Sequence, residues 1–165
     1  MSTPAGVVYG VGVGVPVEFR AVNGILQRSY SGGVTTAANR GAALTYSATA
    51  NAVDPAAGTS TKCAGLLGQD AYDPSGIPGR VAENVYADGI LTYSQIGQPV
   101  SVWKMGEFFV TQVSGAVAQW DYLQPTAGGL WLSSTTTNNL TNGSAIATVG
   151  NTSSGGAIQL SLNVN

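Results

Sequence analysis

The clearest alternation of apolar and polar side chains lies in residues 97–122. Residues 100–103, Val-Ser-Val-Trp, repeat with a period of two, which places one row of side chains on each face of a strand. Residues 104–107 interrupt the pattern with a glycine and two charges, and they predict a hairpin turn. Residues 108–113 resume it with aromatic and β-branched side chains that suit a strand. We therefore expect this stretch to form the centre of a β core.

Asn23-Gly24 is the clearest turn signal elsewhere in the chain. An Asn-Gly pair supplies the two positive φ angles of a type I′ turn, so it predicts a hairpin between residues 17–22 and 25–30. The whole pattern predicts a mostly β fold with few short helices, either a compact β-barrel of a tulip-like kind or a β-sandwich. Further strand-like segments are residues 42–47, 63–70, 89–93 and 157–164.

Valine and glycine alternate in residues 7–17, where Val11, Val13, Val15 and Val17 form one apolar row. The opposite row consists of glycines, so another backbone can approach it closely. Two interpretations remain open: an arm that adds to the sheet edge of a neighbouring molecule, or an internal edge strand of the same domain. We treat residues 1–16 as an extended arm and residues 17–165 as a single β domain.

Charged side chains make up 8% of the chain, against about 25% in an ordinary soluble protein. Its surface must therefore be built from uncharged polar residues or be covered by partners. A net charge of −2 without a cluster of Lys and Arg argues against a nucleic-acid partner. No apolar run approaches the roughly 20 residues of a membrane span, and the N-terminal residues do not resemble a secretion signal. We expect no membrane partner and synthesis in a cytoplasm.

The sequence contains no histidine and a single cysteine, Cys63. Without histidine, neither Ser-His-Asp nor Cys-His catalysis is available, and the common zinc sites are excluded. Cys63 is followed by the small and apolar residues Ala64, Gly65 and Leu66, so a buried structural thiol is favoured over a nucleophile. We therefore predict that the protein is not an enzyme and has no catalytic residues, no cofactor and no metal.

The tryptophans have two interpretations. Trp103, Trp120 and Trp131, with Tyr93 and Tyr122, would form a sugar-stacking platform if they were exposed together. The favoured interpretation is that they anchor a β core or a subunit contact, because few other large apolar side chains are present to fill a core. Trp103 and Trp131 are therefore candidate partner-binding residues, together with the four valines of the arm.

Several short segments carry a resemblance to a known family. They are Gly-Ala-Ala-Leu-Thr-Tyr at 41–46, Asn-Ala-Val-Asp-Pro-Ala-Ala-Gly at 51–58, Cys-Ala-Gly-Leu-Leu-Gly-Gln-Asp-Ala at 63–71, and residues 97–110 and 114–123. In this order along the chain, after a glycine-rich N-terminus, they resemble the capsid decoration (cement) proteins of tailed bacteriophages. The resemblance covers residues 34–132, and the long Ser/Thr/Asn-rich tail departs from the pattern.

This resemblance implies a compact β-barrel or β-tulip domain without catalytic activity. It further implies binding to the outer face of the major capsid protein, often as a trimer at three-fold positions, where the family clamps neighbouring capsomers. The expected function is that of a virion structural protein that decorates and stabilises the outer capsid surface. The alternative is a carbohydrate- or receptor-binding β module of a phage fibre or spike.

Deleting residues 1–15 distinguishes the two interpretations of residues 7–17, the segment in which valine and glycine alternate. Glycine costs about 0.5–1 kcal/mol relative to alanine in a strand, so the segment should gain order mainly from a neighbouring sheet edge. We expect the shortened protein to keep its melting temperature and to lose its oligomeric state or its occupancy on capsids. Calorimetry and sedimentation measure the two properties, and unfolding of the shortened protein would assign the segment to the domain core.

Overall fold

A computed structural model describes residues 19–68, 70–72, 93–135, 137–152 and 156–165, with the backbone alone for residues 19–27, 70, 72 and 93–95. The predicted arm, residues 1–16, and the candidate partner-binding residues Val11, Val13, Val15 and Val17 lie outside the described residues. The strands are β1 (Phe19–Tyr30), β2 (Ala43–Tyr46), β3 (Val53–Pro55), β4 (Gly65–Leu67), β5 (Asp70–Tyr72), β6 (Tyr93–Gln95), β7 (Val100–Val110), β8 (Val113–Ser114), β9 (Leu123–Thr126), β10 (Leu130–Ser133), β11 (Gly143–Val149) and β12 (Ile158–Val164).

The prediction of a mostly β fold is confirmed. The largest sheet has the order β11-β12-β7-β4-β2-β3, and β1 pairs with β7 outside this path. Two smaller sheets, β8-β10-β9 and β5-β6, complete the described structure. The architecture is sandwich-like, and the described strands do not close into a barrel. Helical structure within the described residues is confined to one 3-10 turn, Ala127–Gly129.

Strand β7 is the centre of the largest sheet. Along one edge it pairs antiparallel with β1 over its whole length, from Phe19 opposite Val110 to Tyr30 opposite Val100. Two strands share its other edge: β12 pairs with residues 105–110, and β4 pairs with residues 102–103. The sheet therefore divides in two at Lys104, between the end of β12 and the start of β4.

Both predicted hairpin turns are wrong, because β1 and β7 each run straight through them. Gly24 lies opposite Gly106 in the register of the two strands, and the pairing is irregular on both sides of Gly24. Gly106 has a φ of 146°, an angle that glycine adopts far more readily than other residues. The two turn signals thus mark one shared bend of a strand pair, as bulges and glycines do at sheet corners.

The bend turns the two halves of β7 toward different parts of the core. On a flat strand, Trp103 and Phe108 would lie on opposite faces because they are five residues apart. Their ring centroids are nevertheless 5.8 Å apart, and both side chains pack in the same apolar cluster. Val100 and Val102 belong to a second cluster, which also contains Tyr30. One strand therefore supplies two cores.

Strand β4 and the first two residues of β2 are buried on both faces. Ala43 and Leu66 belong to the first cluster, whereas their neighbours Leu44 and Leu67 belong to the second. Such strands need continuous apolar sequence rather than alternation, which is what Ala-Ala-Leu and Gly-Leu-Leu provide. The first cluster is completed by Cys63, Val110, Val113, Val117, Leu123, Trp131, Leu140, Ala145, Ala147, Ile158, Leu160, Leu162 and Val164.

Gly65 lies where β4 and β7 approach each other most tightly. Its φ is 137°, and a Cβ at this position would lie 2.5 Å from both the Trp103 carbonyl oxygen and Val102 Cγ1. We expect Gly65→Ala to lower the free energy of unfolding by about 2–4 kcal/mol, because it combines overpacking with backbone strain.

The matched control is Gly58→Ala, where no heavy atom lies within 4 Å of the added methyl group. This substitution should change stability by less than about 1 kcal/mol. Urea denaturation of the two variants beside the parent protein measures both effects. Equal stabilities of the two variants would contradict the tight β4–β7 contact.

Candidate partner-binding surface

Trp131 lies in the core rather than on the surface. Its side chain is fully buried on β10, and its indole Nε1 donates a hydrogen bond to the Gly41 carbonyl oxygen at 3.0 Å. A buried tryptophan needs such a partner for its N–H group. The described position of Trp131 therefore gives no support to a direct partner contact.

Trp103 is half-buried on β7, where it packs against Phe108 and the first apolar cluster. Tyr122 is also half-buried, and the side chain of Tyr93 lies outside the described residues. The structure does not bring Trp103 and Trp131 together on an exposed face. The sugar-stacking platform weighed from the sequence therefore does not form among the described side chains, and Trp103 remains available only along its exposed edge.

Trp120 is the tryptophan that the structure exposes. Its side chain is 65% exposed, and its backbone φ of 72° lies in the left-handed region. A bulky residue in that region is strained by about 1–3 kcal/mol, so the surrounding structure must hold it there. Strain of this kind is concentrated at functional positions, which makes Trp120 the first candidate for a binding residue.

Hydrogen bonds on both sides fix the loop that carries Trp120. The Trp120 N–H group donates to the Ala147 carbonyl oxygen at 2.7 Å. The Asp121 carboxylate accepts from the Ala118 N–H group at 2.9 Å and from the Ser133 hydroxyl at 2.6 Å. The loop backbone is thereby attached to β11 and β10, which fixes the position on the surface from which the indole projects.

We define the Trp120 surface as Ala118, Gln119, Trp120 and Val149. All four are exposed, and Val149 lies two residues beyond Ala147 on β11. Gln119 Nε2 donates to the Thr148 carbonyl oxygen at 3.0 Å, which joins the loop to β11 once more. None of the four carries a charge. A rigid, neutral surface centred on tryptophan is typical of the anchor of a protein contact.

The described residues hold no cluster of side chains suited to metal binding. No group of three or more Cys, Asp or Glu side chains lies together in this part of the chain. Cys63 is fully buried, and burial raises the pKa of its thiol from 9.0 to about 12, while a hydrogen bond with Gly65 and the charge of Lys104 oppose this shift. Such a thiol is a poor nucleophile. None of the described helical structure is long and apolar enough to cross a membrane.

No protein-family model matches the chain, and no curated protein is similar to it in sequence.

The exposure and the positive φ of Trp120 were not predicted from the sequence, in which it is one of three tryptophans. Two sequence signals point to it in retrospect. Asp121 follows it and bonds back to Ala118, as Asp commonly does in turns. Gly115 precedes the segment and follows the last residue of β8, where it marks the start of a loop. Nothing in the sequence indicated that Val149 is exposed. Strand alternation places it on the same face of β11 as Ala145 and Ala147, which lie in the core.

The raised pKa of Cys63 predicts a loss of stability at high pH. Above pH 9 the thiol ionises in the unfolded chain and stays protonated in the folded chain up to about pH 12. Unfolding then releases a proton, so the free energy of unfolding should fall by about 1.4 kcal/mol per pH unit in this window from this group alone.

Cys63→Ala removes this contribution while other groups continue to titrate. Urea denaturation between pH 8 and pH 10.5 should therefore show a shallower decline for the variant than for the parent protein. Parallel declines would mean that the thiol ionises in the folded state as readily as in the unfolded chain.

Proposed function

We propose that this protein is a non-enzymatic structural protein of a phage virion, which decorates and stabilises the outer capsid surface by binding the major capsid protein. The observation that carries the proposal is the Trp120 surface, a neutral contact site held in place by hydrogen bonds to two strands. The resemblance of residues 34–132 to decoration proteins supplies the identity of the partner. Homo-oligomerisation, with a trimer favoured, belongs to the same proposal.

The composition supports a protein that functions by binding other proteins. Only 8% of the residues are charged, so little free energy is needed to remove water from charged groups when a surface is covered. The strained backbone of Trp120 supports the same function, since a side chain held in position before binding loses less conformational entropy in the complex. A charge-poor exterior and a rigid anchor together favour a permanent protein contact.

The alternative of a carbohydrate- or receptor-binding module now depends on Trp120 alone. A single exposed indole can stack on one sugar ring, but Trp131 is unavailable and Trp103 is packed against Phe108. A glycan array tests this alternative directly. Binding of a defined glycan that requires Trp120 would replace the capsid proposal.

The first test of the proposal is the copy number of the protein in purified virions. A decoration protein should be present in a fixed ratio to the major capsid protein, in tens to hundreds of copies, whereas a fibre or spike module should be present in a few. Quantitative mass spectrometry of virions measures this ratio. Absence from the virion would overturn the proposal.

Trp120→Gly provides a sharper test, because it should separate binding from stability. Glycine adopts positive φ without penalty, so this variant should be more stable than Trp120→Ala by about 1 kcal/mol. Both variants should bind capsids that lack the protein at least 30-fold more weakly, since a central tryptophan contributes about 2–4 kcal/mol to a contact.

Thr59→Ala is the control, because Thr59 is exposed on a different loop, at a distance in sequence from β11. Co-sedimentation with capsids measures binding, and calorimetry measures stability. Unchanged binding by the stable glycine variant would remove Trp120 from the interface.

A further inference from the structure

The Trp120 surface lies at the same end of the largest sheet as the point where the described chain begins. Phe19, the first residue of β1, is opposite Val110 of β7, and Val110 is in turn opposite Ile158 of β12. Val149 of the Trp120 surface is opposite the residue that follows Ile158. One row across β1, β7, β12 and β11 therefore joins Phe19 to the Trp120 surface.

This row is short compared with the length of chain that precedes Phe19. Neighbouring strands are about 4.8 Å apart, so three strand spacings separate Phe19 from Val149 by about 14 Å. An extended chain spans about 3.3 Å per residue. The eight residues from Val11 to Glu18 can therefore span about 26 Å. Residues 7–17 are long enough to reach a Trp120 surface that lies beside Phe19.

The segment also matches the Trp120 surface in its chemistry. Residues 1–17 carry no charged side chain, and the four residues of the Trp120 surface carry none either. Val11, Val13 and Val15 are separated by single glycines, so an extended segment would have one apolar row and one bare row. Contact between the valine row and the Trp120 surface would remove apolar area on both sides from water.

We propose that the Trp120 surface of one molecule binds residues 7–17 of a second copy of this chain. The valine row lies against the Trp120 indole and the Val149 side chain, and the glycine row allows the two backbones to come close. Each molecule donates one segment and receives one, which is a heterologous contact that closes when the copies form a ring. The contact names the surfaces that join the members of the proposed homo-oligomer.

A second copy is favoured over the molecule's own segment because two connections of the chain lie in between. β7 continues past Val110 into residues 111–112, and residues 156–157 lead into β12. Within one molecule, the segment would have to turn at Phe19 and cross over both connections. Toward a neighbouring molecule, it can continue in the line of β1 and leave its own sheet.

The Trp120 surface cannot hold this segment and the capsid protein at the same time. The capsid protein must therefore displace the segment, so the copies associate through it only while they are free. On the capsid, the lattice itself holds the copies side by side. In this step alone the inference rests on the proposed function, and the contact between free copies can be tested without capsids.

Sedimentation of the full-length protein over a range of concentrations measures the association. Acrylamide quenching of fluorescence reports the contact, because a partner that covers an indole protects it from the quencher. Trp131 is fully buried and Trp103 is half-buried, so Trp120 dominates the change. We expect dilution to convert the oligomer into monomers and to increase quenching over the same range of concentrations.

Two variants remove the contact from its two sides. Trp120→Gly removes the indole, and glycine adopts the positive φ of this position without penalty. The combination of Val13→Thr and Val15→Thr places hydroxyl groups in the valine row with little change of shape. Each variant should weaken self-association by about tenfold or more, because it removes an apolar anchor or makes it polar.

Val8→Thr is the matched control. Val8 belongs to the same segment but lies in the row of the glycines. The same chemical change should therefore leave self-association as it is in the parent protein. Equal weakening by Val8→Thr and by the two substitutions in the valine row would overturn the proposed contact.

A mixture of the two defective variants shows whether the contact joins different molecules. Trp120→Gly keeps an intact segment, and the valine variant keeps an intact surface, so one contact can form between them although neither associates by itself. We expect the mixture to sediment as an equimolar pair and to regain part of the protection from acrylamide. If Trp120→Gly does not fold, the valine variant and its control decide the question.

Three results overturn the proposal. The first is a parent protein that stays monomeric up to about 1 mM. The second is unchanged self-association of the valine variant. The third is protection of Trp120 in a monomer that depends on the valine row, because the segment would then bind its own molecule.

The two proposals fail separately. Self-association that survives the substitutions in the valine row, together with capsid binding that Trp120→Gly loses, would count against the exchanged segment alone. Association in the mixture of variants, together with normal capsid binding by Trp120→Gly, would count against the capsid contact alone.

Discussion

The bend shared by β1 and β7 is the constraint on which the rest of the fold depends. Gly24 lies opposite Gly106, and the register of the strand pair shifts three times around this point, between residues 21 and 23, 24 and 26, and 26 and 27 of β1. Because β7 turns there, Phe108 and Val102 reach different apolar clusters, and two groups of strands can share one edge of β7. Any other residue at position 106 would have to adopt a backbone φ of 146°, which is costly for residues with a Cβ atom. The divided sheet therefore follows from two glycines.

Much of the strand content could be predicted from the sequence, but its connections could not. Alternation over residues 157–164 predicts β12, because one face of that strand is buried and the other is not. The glycines at 24 and 106 were misread because glycine is typical both of a tight turn and of a bend in a continuous strand. Only the register of β1 on β7, which is a long-range property, distinguishes the two structures.

The candidate sites were predictable to a smaller degree, because exposure depends on distant parts of the chain. Trp131 is enclosed partly by Gly41, 90 residues away, and Trp120 is held outward by Ala147. Neither relation leaves a trace in the local sequence of the tryptophans. Lys104 was assigned to a solvated turn for the same reason as Gly106. A charge beside a glycine is usually exposed, and here the division of the sheet buries it.

The Trp120 surface is neutral, and this bears on how it would hold a partner. None of its four residues carries a charge, so its contribution to a contact should be almost insensitive to salt. The loop that carries it is bonded to β11 in the largest sheet and to β10 in a smaller one. Because these bonds order the loop before any partner is bound, binding there would cost less conformational entropy than binding to a loose segment.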